Sequence, residues 1–138
     1  MKNKLLIGAK EWVDFPDFEI QRIAAKVDTG AYTSALHCSM IKELAGELHF
    51  VLVHTKEDKQ LNKEFQTKDY TQKKIKSSNG TTQLRYVIKT AVIIHGRKYR
   101  AEFSLTDRSR MKNTVLLGRK LLKGRFVVDK TKKYTNEL

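Results

Sequence analysis

Ile23-Ala24-Ala25-Lys26-Val27-Asp28-Thr29-Gly30-Ala31 is the stretch that decides how this chain is read. An apolar, strand-like run ends at Val27 and delivers a carboxylate, a hydroxyl and a glycine at its tip. A carboxylate held there can serve as one half of an acid/base pair. Much later in the chain stands Val115-Leu116-Leu117-Gly118-Arg119, a second apolar run, also closed by glycine.

The flanking sequence predicts short strands on both sides of this loop. Leu5 to Val13 reads as one strand, and Asp14-Phe15-Pro16-Asp17, around the one proline, reads as a turn. Phe18 to Val27 reads as a strand leading into Asp28, and Thr33 to Cys38 as another. In Glu47 to His54, Leu48, Phe50 and Leu52 alternate with His49, Val51 and Val53. Thr55 to Lys76 is crowded with Lys, Glu, Asp and Gln and reads as a mobile loop or hairpin tip. Asn79-Gly80 is a tight-hairpin signal. Thr81 to Ile94 reads as a strand, and His95-Gly96-Arg97 as a turn. Tyr99, Ala101, Phe103 and Leu105 then alternate with Arg100, Glu102, Ser104 and Thr106 in a half-buried strand. Val115 to Leu117 and Phe126 to Val128 are short strands, with room for one helical turn between Arg119 and Lys123. Many short strands separated by turns predict an all-β fold, a closed barrel or a sandwich. Residues 1–129 form the expected single domain, and 130–138 a polar tail expected to fray.

Composition narrows the class. The chain has 138 residues, about one domain, with 40% hydrophobic and 31% charged residues, which describes a globular protein. Its one cysteine, Cys38, excludes an intrachain disulfide and fits a reducing, cytoplasmic setting. The apolar run near the start, Leu5 to Ile7, is too short for a signal peptide, and no run approaches the ~20 apolar residues of a membrane span. The formal net charge is +13, from 28 Lys+Arg against 15 Asp+Glu. Such a field serves solubility or draws in polyanions. Nucleic acid is the weaker polyanion, because no nucleic-acid motif is present and the basic residues are spread along the chain. An acidic peptide is the alternative.

An Asp-Thr-Gly-Ala loop and a later apolar-apolar-Gly element resemble the retropepsin-like aspartic proteases. A narrower resemblance is carried by Ile7 to Val13, Ala25 to His37 and Leu116 to Asp129, which are similar to the bacterial RimK-associated family, whose members carry the label of ATP-dependent zinc proteases. It covers roughly residues 5–129. It implies a small retropepsin-like β-barrel, with Asp28 as the catalytic residue and Thr29, Gly30, Ala31, Gly118 and Arg119 supporting its loop. Thr33, Ser34 and His37 match the family and are candidates to line the site. Retropepsins place a substrate-covering flap between the two site elements, which assigns the flap to Lys76–Leu84 and makes Asn79 and Gly80 candidate substrate contacts.

The chemistry needs two carboxylates. One activates water while the other protonates the scissile carbonyl. Like charges about 3 Å apart cannot both ionise, so the pair shares a proton. No second Asp-Thr-Gly or Asp-Ser-Gly occurs in the chain, so the economical arrangement is a two-fold homodimer with Asp28 of each subunit on the axis. Thr29 would then brace the opposite loop, and Gly30 would let backbone pass beside the carboxylate. Ala31 has no hydroxyl to donate to the charged form. Arg119 reads either as an ion pair to Asp129 or Glu11 or as a substrate contact. His37 reads either as a strand histidine with a hydrogen-bond partner or as a site residue. On the Asp-Thr-Gly tripeptide alone, Asp28 reads as a turn-forming aspartate with local backbone hydrogen bonds; the flanking segments turn the reading to a catalytic one.

Neither label attached to the family finds a motif here. His37, His49, His54 and His95 form no His-Glu-x-x-His, and the reading has no metal and no cofactor. No phosphate-binding glycine loop is present, so the ATP label is attributed to association with the RimK-type ligase. Cys38 has no activating partner beyond the adjacent His37. Two functions remain: a peptidase that trims glutamylated protein tails, or a catalytically inactive β-barrel module that binds a RimK-type ligase or a ribosomal partner. RNA binding through the basic surface is the third and weakest.

Overall fold

Gly8 divides the strand expected from Leu5 to Val13, because the C-terminal segment lies against it. A Cβ at Gly8 would fall 2.2 Å from the Lys132 carbonyl oxygen. The computed structural model describes residues 3–55, 58–76, 80–107 and 113–135. Its strands are β1 (Leu5–Ile7), β2 (Lys10–Phe15), β3 (Ile20–Val27), β4 (Ser34–Leu44), β5 (Glu47–Leu52), β6 (Phe65–Thr67), β7 (Tyr70–Lys76), β8 (Thr82–Ile94), β9 (Arg97–Asp107), β10 (Val115–Leu117) and β11 (Phe126–Val128). One helical turn, α1 (Arg119–Leu122), separates the last two. None of the described helices is long and apolar enough to cross a membrane.

Six strands close on themselves in the order β10-β3-β2-β8-β9-β4, with β10 pairing back onto β4. The expected all-β closed barrel with at most one short helix is therefore present. Closure removes the open edges that an unclosed sheet would leave unpaired. Inward-facing side chains follow the period-2 pattern. Phe103 and Leu105 of β9 meet Phe15 of β2 and Leu36 of β4 in one apolar core, with the Phe15 and Phe103 rings edge to face at 5.3 Å.

The polar stretch 55–76 is not the loop that its composition suggests. It holds a 3-10 turn at Lys59–Leu61, the short strand β6 on β5, and β7 on β8. Two apolar side chains anchor it. Leu61 is 1% exposed and Phe65 4%, and the Phe65 ring packs on Phe18 and Phe50. Burying two such side chains contributes about 1.5–3 kcal/mol each, enough to order a segment that a charge count assigns to solvent. β7 buries little. It is held by its ladder to β8, from Tyr70↔Ile88 to Lys76↔Thr82. β4 likewise runs on to Leu44, past the expected end at Cys38, because β5 pairs with its second half.

The C-terminal stretch does not fray through Thr135. Lys132 accepts from the Ala9 amide at 2.7 Å, and the Tyr134 amide donates to Lys10 at 2.7 Å. The Tyr134 ring stacks on Trp12, centroids 4.3 Å apart. Beneath them lies Glu11, fully buried. Its carboxylate accepts from the Gly8 amide (2.7 Å), the Thr135 amide (2.9 Å) and the Thr135 hydroxyl (2.6 Å). A buried carboxylate is tolerable only when so satisfied.

Candidate active site

β3 and β10 run side by side and parallel, with Leu117 opposite Val27, so both chains leave the sheet at the same point. That register brings Asp28 and Gly118 together across 90 residues of sequence. The Asp28 amide donates to the Leu117 carbonyl at 2.9 Å. The loop from Asp28 to Ser34 then folds over the start of α1. A Cβ at Gly118 would lie 2.7 Å from the Thr33 carbonyl carbon, so only glycine fits under this crossing. Three successive amides tie the two segments. Gly118 donates to Ser34 Oγ, Arg119 to the Ala31 carbonyl and Lys120 to the Tyr32 carbonyl, each at 2.9 Å.

Within the loop, Asp28 Oδ1 accepts from the Gly30 amide at 3.0 Å and the Asp28 carbonyl from the Ala31 amide at 3.3 Å. The carboxylate is thereby aimed by its own backbone and remains part-exposed. The Arg119 guanidinium donates to the Thr29 carbonyl at 3.1 Å and lies over the Tyr32 ring at 5.8 Å. Its expected ion pair to Asp129 or Glu11 is not formed. Glu11 is satisfied by Gly8 and Thr135, and Asp129 Oδ1 accepts from the Thr131 amide and hydroxyl instead. Arg119 braces the Asp28 loop.

A cleft of about 850 Å³ opens from this loop. Asp28, Gly30, Ala31 and Tyr32 form one end. The β7–β8 hairpin forms a wall through Lys73 to Lys76 and Arg85. The floor is the outer face of the barrel, Ala35 and His37 of β4 with Glu102, Ser104 and Thr106 of β9. Six lining side chains are lysine or arginine (Lys73, Lys74, Lys76, Arg85, Arg119, Lys120) against two carboxylates, Asp28 and Glu102. The lining therefore carries a net positive charge.

Of the candidate residues, Asp28, Gly30, Ala31, Thr33, His37 and Arg119 line this cleft. Thr29 and Gly118 lie in the loop and its support. Ser34 is buried beneath, its hydroxyl engaged by Gly118. The His37 ring Nδ1 lies 2.6 Å from the Asn113 carbonyl, so that nitrogen carries the proton. Gly80 is exposed and off the cleft wall, and Asn79 lies outside the described residues. The hairpin lines the cleft with Lys73 to Lys76 of β7 and with Arg85 of β8; of the flap assigned to Lys76–Leu84, Lys76 is among the lining residues, and residues 77–79 lie outside the described residues.

Lys73, Arg85, Glu102, Ser104, Thr106 and Lys120 were not among the sequence candidates. Alternation had already set Glu102, Ser104 and Thr106 on one face. Nothing local says that a hairpin turns that face into a cleft. Hydrogen bonding by Lys73 holds Glu102 below the usual carboxylate range, helped by the charge of Lys120. Burial, followed by the nearby Asp107 charge, pushes the Cys38 thiol up to about 12, so it is no nucleophile. The zinc in the family's label does not fit this site: among the described residues no three His, Cys, Asp or Glu side chains gather to hold an ion. The four histidines bond separately, to Asn113, to Glu47 and Glu64, to Leu52 and to Thr135.

Comparison with known proteins bears on this geometry. The model of the RimB-like family, described as the retropepsin-like aspartic endopeptidase RimB, matches residues 6–137. A Shewanella pealeana protein named a probable alpha-L-glutamate ligase is 32% identical over 136 residues, covering 96% of this chain and 30% of that protein. One of the same name from Parasynechococcus marenigrum is 30% identical over 133 residues, covering 94% of this chain and 28% of its own length. The chain thus spans less than a third of the length of these relatives. The crystal structure of Lpg0085 from Legionella pneumophila superposes with a TM-score of 0.78 at 24% identity, covering 98% of this chain and 100% of that one. It shares the fold.

Proposed function

The chain belongs to the RimB-like family of retropepsin-like aspartic endopeptidases, and from that premise we propose that it is an aspartic peptidase acting as a homodimer on acidic, glutamate-rich protein tails. The observation that carries the reading is the position of Asp28. Its carboxylate stands at the head of a cationic cleft, aimed by Gly30 and held to the Leu117 carbonyl through its own amide.

Each subunit supplies one such carboxylate, and a two-fold axis at the Asp28 loop completes the pair. In the assembled site one Asp28 takes a proton from water as the water oxygen bonds to the scissile carbonyl carbon. The other gives its proton to the carbonyl oxygen. Collapse of the tetrahedral species breaks the C–N bond: the protonated Asp28 gives its proton to the leaving amine while a hydroxyl of the diol returns a proton to the other, which restores the shared-proton pair. In this reading Thr29 and Gly118 support the loop, and the β7–β8 hairpin closes over the peptide.

Six cations in the cleft favour glutamate side chains in the substrate. Relatives named as glutamate ligases carry a region similar to this chain within longer proteins. Ligation that extends a protein with glutamates makes the product such a peptidase would shorten, which also favours an association with a RimK-type ligase. The test compares cleavage of a peptide ending in six glutamates with one ending in six glutamines, at low and high salt. The reading expects preference for glutamate that weakens with salt. Equal rates without salt dependence overturn the acidic-tail assignment. Sedimentation at micromolar concentration tests the dimer. A monomer that binds the peptide without cutting it moves the assignment to the catalytically inactive binding module.

A further inference from the structure

Glu102 sits on the cleft floor with one carboxylate oxygen toward each of two lysines. Lys73 of the hairpin donates to Oε2 at 2.5 Å. Lys120 of α1 donates to Oε1 at 3.4 Å. The two ammonium groups come from two different elements, β7 and α1, and hold the two oxygens of a single carboxylate. All three side chains touch solvent, Lys73 at 46%, Lys120 at 49% and Glu102 at 24%. The three therefore form an accessible ion cluster in the lining of the cleft, where an exchange of partners costs little desolvation.

We propose that Lys73 and Lys120 form a carboxylate-binding subsite for an acidic side chain of a peptide ligand, and that Glu102 fills this subsite as an internal stand-in until the ligand displaces it. The geometry for holding a carboxylate is already demonstrated by Glu102 itself. Glu102 is also the only lining carboxylate besides Asp28, so the rest of the cleft offers no competing anion among the described residues. A second consequence concerns the hairpin. While Glu102 holds Lys73, β7 is tied to the barrel floor. A ligand that takes both lysines replaces that tie with itself and links hairpin, ligand and α1. The inference rests on the cleft being a peptide site, but does not require that the peptide be cut.

The experiment uses full-length protein carrying Asp28→Asn, so that no probe is consumed, and a fluorescent hexaglutamate peptide read by anisotropy. Glu102→Gln removes the stand-in and is expected to tighten binding up to about fivefold, the scale of an exposed ion pair. Lys73→Ala and Lys120→Ala are each expected to weaken it by about two- to fivefold. Hexaglutamine should not bind. Glu19→Gln, an exposed change away from the cleft, adds the same charge and should leave binding unchanged, which separates a local subsite from general attraction. Unchanged or weaker binding by Glu102→Gln overturns the proposal, as does tightening of equal size by Glu19→Gln, or lysine variants that bind like the parent. Failure of hexaglutamate to bind any variant overturns both this subsite and the acidic-ligand reading. Binding as expected, with no cleavage by the wild type, leaves the subsite standing and removes the peptidase.

Discussion

Gly118 lies directly beneath Thr33, so close that a methyl group on it would sit 2.7 Å from the Thr33 carbonyl carbon. The contact sets how the loop carrying Asp28 crosses the start of α1. Beside it the Gly118 amide donates to Ser34 Oγ, so the same glycine fixes both the height and the register of the loop.

Gly118→Ala should therefore cost stability, about 1–3 kcal/mol for an overpacked site, and should reduce peptide cleavage by more than the folded fraction alone explains. Ser34→Ala leaves the buried Gly118 amide without its acceptor. It should cost about 1–3 kcal/mol while moving the loop less. Urea unfolding followed by activity at full folding separates the two. Equal activity loss in both variants would show that the crossing does not position Asp28.

The C-terminal strap is the next test. A chain ending at Asp129 loses Tyr134 from Trp12 and removes two of the three donors to the buried Glu11 carboxylate. Stripping the partners of a buried charge costs about 3–5 kcal/mol, so the truncated protein should unfold at much lower urea. Glu11→Gln in the truncated chain should recover part of the loss by removing the charge. Unchanged stability on truncation would return 130–138 to the status of a free tail.

How much of this was legible in the sequence depends on how local the signal is. The alternation in Glu47–Leu52 and Tyr99–Leu105 gave the buried faces, since each strand carries its own pattern. The Asp28 and Gly118 elements were visible as motifs, but that Leu117 accepts from Asp28 follows from strand register across the barrel. The stretch 55–76 was misread because Leu61 and Phe65 are too few to change its composition, yet each finds a prepared apolar site. The tail was misread because Glu11 gives no sign in sequence that its partner is Thr135. Lys73, Glu102 and Lys120 come from three elements and meet only in the folded chain.

Cys38 offers a prediction with a definite sign. Its thiol, at about 12, stays protonated where an unfolded thiol near ~8.5 ionises. It should resist thiol reagents at about pH 8 until the protein is denatured. The folded form holds its proton longer, so the contribution is intact below the unfolded value and stability falls as pH rises from there toward about 12. Cys38→Ala should flatten that alkaline slope in a urea titration. Rapid labelling of the native protein would contradict the burial.

The most direct test of the central claim is cleavage of a glutamate-tailed peptide by the wild type and by Asp28→Asn, across about pH 4 to 8. The account predicts cleavage by the wild type with a bell-shaped pH dependence, as a shared-proton pair requires, and none by Asp28→Asn at any pH. Cleavage by Asp28→Asn at the wild-type rate, or a wild type inert toward the peptide throughout, would contradict it.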